Sequence, residues 1–468
     1  MSASEEYKAI VIGGGPGGYV AAIRLGQHGV RTLLVERDLL GGECLNRGCI
    51  PSKVLITGVN AYWSAMKADW IRSDSLSVDW SRLQKRREKV IRRLRLGVKY
   101  LLQENGVKVL EGKARIKSDK TVKVSLKNGE EKIFKAENII IATGGEHASI
   151  PSIPTDGRRV ITSSQALELQ EIPRKLLIVG GGVSGLEIGI LYAKLGTKIT
   201  VVELMDQLLP GIEKELVQVV QKRMRRLGIE IHTGSKVVGS KVDENGVKAE
   251  VERKDGTIFE VEADYAMVAV GKRANTDEVG APDAGIELTP RGFIKVNDKM
   301  ETSVKGIYAI GDVTGPPFMA HRASYHAIVA AENIVGGEAV ADETGMPSAI
   351  FTDPEIALAG LTEQEALKKG IKPKVGKFVF SALGRAVLEG ETDGLIKIVA
   401  DSSTDEIIGC QMVGAHVSEL IAQAVIAIRN RLTLKEFAES IRPHPTFGEA
   451  LSEAAEAAIW KPIHMIVD

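Results

Sequence analysis

Two cysteines that stand five positions apart are the residues best able to carry chemistry. Cys44 and Cys49 lie within GGECLNRGCIPSK, whereas Cys410 stands alone in a strand-like run and is expected in the core. No second Cys/His pair follows closely enough for a zinc site, and we expect no metal. So few cysteines suit a reducing compartment, which favours a redox dithiol/disulfide for the pair, with two buried structural thiols as the alternative.

The spacing of this pair also restricts the backbone between its members. On an ideal helix, positions i and i+5 lie roughly 8–9 Å apart. This distance exceeds the limit of roughly 7 Å between the Cα atoms of a disulfide. We therefore expect the backbone between Cys44 and Cys49 to depart from an ideal helix.

A histidine between two prolines is a candidate for the base that thiol–disulfide exchange needs, since the thiolate is the nucleophile. Of eight histidines, His444 lies in RPHPT, with few conformations open to it, and Glu449 follows five residues later. A carboxylate on one imidazole nitrogen fixes the tautomer and raises the basicity of the other nitrogen. Spacing alone still favours an ordinary loop histidine over a catalytic pair.

The chain contains two copies of a strand–glycine–helix pattern, KAIVIGGGPGG and KLLIVGGGVSG, each closed by an acid 23 positions after its first glycine. The glycines and acids are Gly13, Gly15, Gly18 and Glu36, then Gly180, Gly182, Gly185 and Glu203. The three glycines permit a tight turn, close approach of a pyrophosphate and close helix packing, while the acid accepts from ribose hydroxyls. The pattern predicts two dinucleotide sites, most simply a bound flavin and an exchanging nicotinamide.

The length and the remaining patterns predict several domains. A chain of 468 residues is too long for one hydrophobic core. Each glycine-rich copy is followed by a β-meander and a strand that turns at glycine, and a third such turn precedes Asp312. From about residue 346, strands precede helices. We therefore predict an α/β fold with two Rossmann-like dinucleotide-binding domains and a C-terminal α+β domain, with boundaries at 1–148, 149–271, 272–345 and 346–468.

Charge and composition weigh against several classes of function. Lys+Arg and Asp+Glu both number 61, and aromatic residues make up 4%, so neither an overall field nor a stacking surface favours nucleic acid. The N-terminus has no signal-peptide pattern, and the apolar stretch 420–428 is too short to span a bilayer. We expect a cytoplasmic protein without membrane insertion.

One segment, residues 81–100, holds nine Lys/Arg against one Glu. Five apolar residues in and directly after this segment fall on helical spacing and predict an amphipathic helix. These residues are Leu83, Val90, Leu94, Val98 and Leu101. The basic side is more simply a solvated helix face than a surface for nucleic acid or an acidic partner.

Over essentially its whole length the chain resembles the pyridine nucleotide–disulfide oxidoreductases. The resemblance rests on IGGGPGGY, GGECLNRGCIPSK, IATGG, VGGGVSGLEIG, AIGDV, FTDPEIALAGLTEQEA, VGAHVSELI and HPTFGEALSEAA. It implies FAD in domain 1–148, completed by 272–345, NAD in domain 149–271, and a homodimer formed through 346–468. It also implies an enzyme that oxidises protein-bound dihydrolipoamide to lipoamide and reduces NAD⁺ through a Cys44–Cys49 disulfide and FAD.

The resemblance implies roles for individual residues. The catalytic set is Cys44, Cys49, His444, Glu449, Lys53 and Glu187. Cys49 is implied as the thiol nearest the flavin and Cys44 as the thiol that exchanges with substrate. His444 is implied as the base, with Glu449 as its partner, and it serves the disulfide of the other subunit. The last two members of the set are implied as an ion pair near the flavin.

The same resemblance implies two sets of cofactor-binding residues. The FAD set is Gly13, Gly15, Gly18, Glu36, Arg37, Gly42, Lys53, Ala114, Thr143, Gly144, Asp312, Met319, Ala320 and His321. The NAD set is Gly180, Gly182, Val183, Gly185, Glu203, Val237 and Gly271. Three positions depart from the usual family pattern, namely Glu43, Gly145 and Arg442, and none removes a residue that the chemistry needs.

Two kinds of alternative function stay open. A glutathione- or mercuric-reductase-like enzyme is less consistent with Ser52 before Lys53, with the lack of a cation directly after Glu203, and with an ending without a cysteine pair. A non-catalytic FAD-binding subunit is less consistent with the retention of both cysteines and the histidine. As partners, lipoyl groups of 2-oxo-acid dehydrogenase complexes and of the glycine cleavage system fit equally well.

Overall fold

The computed structural model describes residues 5–72, 75–117 and 120–466. They form two compact units. The first unit contains the residues up to 150 together with 161–172 and 270–342, and the second contains 151–160, 173–269 and the residues from 343 onward. The segment expected to complete the first dinucleotide site therefore folds, up to residue 342, with the N-terminal part of the chain. The four domain boundaries stay predictions.

The secondary structure alternates between strands and helices over most of the chain. In chain order the strands are β1 (Glu5–Ile12), β2 (Thr32–Glu36), β3 (Lys108–Ile116), β4 (Thr121–Leu126), β5 (Glu131–Ile141), β6 (Gly145–His147), β7 (Val160–Thr162), β8 (Lys175–Val179), β9 (Lys198–Val202), β10 (Glu230–His232), β11 (Ser235–Val242), β12 (Val247–Arg253), β13 (Ile258–Ala263), β14 (Tyr265–Val268), β15 (Lys272–Ala274), β16 (Ile307–Ala309), β17 (Ser348–Ile350), β18 (Glu355–Gly360), β19 (Pro373–Val379), β20 (Leu395–Asp401) and β21 (Ile407–Gly414). The helices are α1 (Pro16–Gln27), α2 (Gly42–Asn46), α3 (Cys49–Lys67), α4 (Trp80–Glu104), α5 (Ser163–Ala166), α6 (Val183–Ala193), α7 (Lys214–Arg226), α8 (Ala320–Ile334), α9 (Glu363–Lys368), α10 (Gly384–Glu389), α11 (Val417–Arg429), α12 (Leu434–Ala438) and α13 (Glu449–Ile459).

The first unit is organised around a parallel sheet in which β1 pairs with β2 and β5, β2 with β3, and β5 with β16. The strands β3, β4 and β5 also form the antiparallel meander that the sequence predicts. Along β1, Ala9 and Val11 face one hydrophobic cluster, whereas Ile10 and Ile12 face another. Both faces of the central strand are therefore buried, as is typical of a parallel sheet covered on two sides.

The second unit contains a parallel sheet of order β10-β9-β8-β14-β7 and a three-stranded antiparallel sheet, β11-β12-β13. Its C-terminal part is an antiparallel sheet of order β17-β18-β21-β20-β19, which packs against α11 and α13. Cys410 is completely buried in the core between this sheet and its helices, which confirms its expected place. The short helices α9 and α10 lie among the strands, so the predicted order of strands followed by helices is only approximate.

The basic segment forms a helix, α4, that begins at Trp80. Asp79 is its N-cap, and the Asp79 side chain accepts a hydrogen bond from the backbone N–H of Arg82 at 2.9 Å. Val98 is buried as expected, whereas Leu94 and Leu101 are 41% and 47% exposed, so the predicted apolar stripe is wrong at these two positions. The buried face consists of Trp80, Gln84, Arg87, Ile91, Val98 and Leu102. Its polar members bond to the carbonyl groups of residues 167 and 169, a pairing that helical spacing does not show. None of the described helices is long and apolar enough to cross a membrane.

Candidate active site

The two cysteines of the redox segment lie on consecutive helices rather than on one. Cys44 lies in α2, which ends at Asn46, and Cys49 is the first residue of α3. Between them, Gly48 has φ −124° and ψ −100°, outside the helical region. This break confirms the expected departure from an ideal helix, and it allows the two thiols to form a hydrogen bond with each other.

The two sulfur atoms are chemically different. The hydrogen bond from Cys44 lowers the pKa of the Cys49 thiol to about 7, and the positive charges of Lys53 and Lys272 act in the same direction. The same hydrogen bond and the partial burial of its side chain raise the pKa of Cys44. Cys49 also begins a 19-residue helix, where the helix dipole favours a negative charge. In the reduced pair, these effects favour a thiolate on Cys49 over one on Cys44.

A half-buried lysine outside the predicted site residues, Lys272, influences this pair. The Nζ atom of Lys272 lies 2.6 Å from a carboxylate oxygen of Glu43 and 3.1 Å from one of Asp312. Burial opposes the charged form, but the two carboxylates raise the pKa of Lys272 above its ordinary value. Glu43 also lies 3.6 Å from His147, whose pKa is lowered by burial. The negative charge of Glu43, which departs from the family pattern, is therefore balanced by the positive charge of Lys272. The sequence signal for Lys272 is its place directly after the turn at Gly271.

Both glycine-rich turns have the geometry that a dinucleotide requires. The first glycines, Gly13 and Gly180, have φ of +103° and +107°. A Cβ atom on the third glycine would lie 1.8 Å from the carbonyl oxygen of Gly13 in the first copy and 2.4 Å from that of Gly180 in the second. The middle glycines, Gly15 and Gly182, are the N-caps of α1 and α6, and no side chain caps either helix. Both N-termini therefore suit a pyrophosphate.

The acids that close the two copies are held in the same way. Glu36 is buried and accepts from the backbone N–H groups of Gly14 and Asp38, at 2.5 and 2.7 Å. Glu203 is also buried and accepts from the corresponding N–H groups of the second copy, at 2.6 and 2.7 Å. A carboxylate has about four acceptor positions, so each acid can still accept from a ribose hydroxyl.

All fourteen predicted FAD residues lie in the first unit. The side chain of Thr143 donates to the carbonyl of Asn275 at 2.8 Å, and the amide of Asn275 donates back to the Thr143 carbonyl at 3.0 Å, so these two segments hold each other. Asp312 lies in a short 3₁₀ helix after β16. Gly42 begins α2, Ala114 lies on β3, Arg37 pairs with Glu278 and Gly144 has φ +64°. Met319 is the N-cap of α8, and Ala320 and His321 are the first two residues of that helix.

The predicted NAD residues are divided between the units. Gly180, Gly182, Val183, Gly185, Glu203 and Val237 lie in the second unit, whereas Gly271 lies in the first. Val183 is the first residue of α6 and is exposed, whereas Val237 is buried on β11. Glu187 also lies on α6 and is buried, and its carboxylate accepts a hydrogen bond from the backbone N–H of Phe351 at 2.9 Å. The predicted pairing of Lys53 with Glu187 stays a prediction.

The predicted histidine–carboxylate pair forms in the second unit. The Nδ1 atom of His444 lies 2.8 Å from one oxygen of Glu449, and the other oxygen accepts from the Thr446 amide at 2.8 Å. Although partial burial acts to raise the pKa of Glu449, these two hydrogen bonds lower it. With the carboxylate on Nδ1, the Nε2 atom of the largely exposed imidazole is left as the acceptor. The pair has the geometry that a base needs, and the role of His444 as the base stays a prediction.

Arg442, a departure from the family pattern, has a structural place near this pair. Its guanidinium donates to the carbonyls of Phe437 and Ser440, at 3.0 and 2.9 Å, and also bonds to the Ser452 hydroxyl. It therefore ties the loop that carries His444 to both α12 and α13.

Comparisons with known proteins agree with this arrangement. Residues 7–331 match the family profile described as pyridine nucleotide-disulphide oxidoreductase, and residues 346–455 match the dimerisation domain of the same family. Curated relatives named dihydrolipoyl dehydrogenase come from Haloferax volcanii, 43% identical over 98% of this chain and 97% of the relative, and from Geobacillus stearothermophilus, 40% identical over 98% of each.

Solved structures give the same result for the fold. LpdA from Mycobacterium tuberculosis is 26% identical, with a TM-score of 0.89 over 96% of this chain and 99% of the other. The HOCl-induced flavoprotein disulfide reductase RclA from Escherichia coli is 25% identical, with a TM-score of 0.86 over 97% and 99%. These matches confirm the predicted α/β fold and an oxidoreductase with FAD and NAD as cofactors.

Proposed function

We propose that this chain, which belongs to the pyridine nucleotide–disulphide oxidoreductase family, oxidises protein-bound dihydrolipoyl groups to lipoyl groups and reduces NAD⁺. The observation that carries the proposal is the placement of Cys44 in α2 and of Cys49 at the first residue of α3, where the helix dipole and two lysine charges favour a thiolate. The full-length relatives named dihydrolipoyl dehydrogenase support this substrate over glutathione or mercuric ion.

The reaction is a two-electron exchange between dithiols. The dihydrolipoyl dithiol gives two electrons and two protons as its disulfide forms, and the disulfide of Cys44 and Cys49 is reduced to the dithiol. The pair then returns to the disulfide as NAD⁺ takes a hydride and one proton is released. FAD, when bound, supplies the electron transfer between the dithiol and the nicotinamide. We propose that Cys49, the thiol with the lower pKa, lies on the flavin side and that Cys44 exchanges with substrate.

The base in this exchange is His444, because its Nε2 atom is exposed while Glu449 holds Nδ1. It takes a proton from the attacking substrate thiol, and Glu449 stabilises the resulting imidazolium. Lys53 acts through its positive charge, which helps to lower the pKa of Cys49 and opposes the larger effects that raise the pKa of Cys44. We assign Glu187 as its ion-pair partner near the flavin.

The partners and compartment follow from the same function. The match of residues 346–455 to a dimerisation domain supports a homodimer. The lipoyl groups belong to 2-oxo-acid dehydrogenase complexes or to the glycine cleavage system. A catalytic dithiol in a chain with three cysteines suits a reducing cytoplasm.

An assay of free dihydrolipoamide with NAD⁺ and NADP⁺ side by side tests the function and the coenzyme together. We expect turnover with NAD⁺ and a kcat/KM at least about 100-fold lower with NADP⁺, because buried Glu203 accepts from a 2′-hydroxyl and repels a 2′-phosphate. Nearby Lys254 is paired with Asp206 at 3.0 Å and does not offset this repulsion. Glu203→Gln should narrow the preference, whereas Glu230→Gln, an exposed acid on β10, should not. Equal kcat/KM values for both coenzymes would contradict the assignment.

The pH dependence of the thiolate gives a second test. In the reduced enzyme, the long-wavelength absorption of a thiolate beside the flavin should weaken as the pH falls through about 7, because protonation removes the thiolate. Lys272→Gln should move this midpoint upward, since it removes a positive charge that favours the thiolate, and Lys272→Arg should retain the wild-type midpoint. A midpoint in Lys272→Gln at or below that of the wild type would show that Lys272 does not stabilise Cys49.

A further inference from the structure

In the part of the chain that the structure describes, the helix α4 carries a basic face whose cations mostly have no ion-pair partner. Its exposed cations recur at helical spacing opposite the buried stripe and extend over about 26 Å at 1.5 Å per residue. These cations are Arg82, Lys85, Arg86, Lys89, Arg92, Arg93 and Lys99. Among the described residues, only Arg82 of this set has an ion-pair partner, Asp79 at 3.9 Å. The acid Glu88 lies within the helix and pairs with buried Arg87. Because the whole chain has zero net charge, this row of cations is a local concentration of positive charge.

The helix that carries this basic face is in contact with the helices that carry the two redox cysteines. The helix α4 packs against both α2 and α3, which carry Cys44 and Cys49. Arg95, beside the basic face, lies 3.4 Å from the Asn46 side chain at the end of α2. Leu96 and Tyr100 interrupt the cations on the exposed face and are 56% and 59% exposed. The surface is therefore basic with apolar positions, as suits a protein partner with acidic and apolar side chains.

We propose that the exposed face of α4 is the docking surface for an acidic lipoyl-bearing partner, which it guides to the disulfide. This inference rests on the proposed function and names the chemistry of the partner that this function requires. Charge complementarity raises the rate of encounter without taking part in the reaction, and the gain decreases as salt screens the charges. An acidic segment around the dihydrolipoyl-lysine is thus favoured over a neutral one.

Three substrates of the holoenzyme separate docking from chemistry. They are a dihydrolipoyl-lysine peptide flanked by Glu, the same peptide flanked by Gln, and free dihydrolipoamide. At about 10 mM salt, kcat/KM should be about tenfold higher for the Glu peptide than for the Gln peptide. At about 0.3 M salt, the difference should shrink to about twofold.

A charge variant of α4 and a matched control identify the surface. The variant combines Lys89→Gln, Arg92→Gln and Arg93→Gln, and the control makes the same change of net charge on α7 with Lys214→Gln, Lys222→Gln and Arg225→Gln. These control residues are exposed and have no ion pair among the described residues. The α4 variant should lose about fivefold in kcat/KM for the Glu peptide at low salt. Its values for the other two substrates, and all values of the control, should stay within about twofold of wild type.

Several outcomes would overturn this docking surface. One is equal kcat/KM for the Glu and Gln peptides in the wild type, and another is an equal loss in the control. A duplex of about 24 base pairs that binds the wild type but not the α4 variant at about 0.15 M salt would assign the face to nucleic acid instead. If the wild type does not oxidise free dihydrolipoamide at all, the proposed function fails, and this result is distinct from a failure of docking.

Discussion

Cys49→Ser should retain FAD but lose at least about 99% of dihydrolipoamide turnover, together with the long-wavelength absorption of the reduced enzyme. The reason is that Cys49 carries the thiolate of the pair, with a pKa of about 7, whereas a serine hydroxyl cannot form a disulfide or relay electrons. Cys44 alone cannot form the disulfide, and Cys410 cannot supply the missing thiol because it is completely buried and burial raises its pKa. Turnover and the visible spectrum after reduction measure both effects.

Two further variants make this test specific to one sulfur atom. Cys44→Ser should also abolish turnover but should retain the long-wavelength absorption, because the serine hydroxyl can still donate a hydrogen bond to the Cys49 thiolate. Cys410→Ala is the control and should keep turnover within about twofold, since that thiol lies in the core of the C-terminal sheet. If Cys44→Ser loses the absorption and Cys49→Ser retains it, the assignment of the two thiols is reversed.

Features set by local spacing were predictable from the sequence. The glycine turns were predictable because a Cβ at the third glycine cannot fit against the first glycine's carbonyl oxygen, whatever the rest of the chain does. The break between α2 and α3 followed from the reach of a disulfide. The pairing of His444 with Glu449 could be suspected from the five-residue spacing, and the geometry now gives it a defined tautomer.

Features that depend on distant segments were not predictable. Lys272 acts on Cys49 from a strand more than 200 residues away in sequence, and only the folded sheet brings it to Glu43 and Asp312. In α4, the periodicity of apolar residues placed Leu94 and Leu101 in the buried face. Gln84 and Arg87 occupy that face instead, because the carbonyls of residues 167 and 169 satisfy their polar groups. Helical periodicity carries no information about such partners.

The second prediction with a large effect on turnover concerns whether His444 serves the disulfide of the other subunit. The exposed Nε2 atom must reach the substrate thiol directly or through one water. If it reaches the disulfide of the other subunit, then Cys49→Ser chains and His444→Gln chains are each nearly inactive alone but complement each other. Each heterodimer then holds one site with an intact Cys49 and an intact His444. After random exchange of equal amounts, half of the dimers are heterodimers, and we expect about a quarter of wild-type turnover.

A control mixture decides whether this recovery comes from complementation. Cys49→Ser chains mixed with chains that carry both substitutions can form no intact site in either arrangement, so their turnover should stay at the background. Differently tagged chains verify the exchange, and retained FAD absorption shows that the variants are folded. Background turnover in the first mixture after verified exchange would mean that His444 acts within its own chain or is not the base. Recovery to about a quarter of wild-type turnover in the first mixture, and none in the second, would place the base across the interface. The reason is that the only intact site in such a heterodimer combines Cys49 of one chain with His444 of the other.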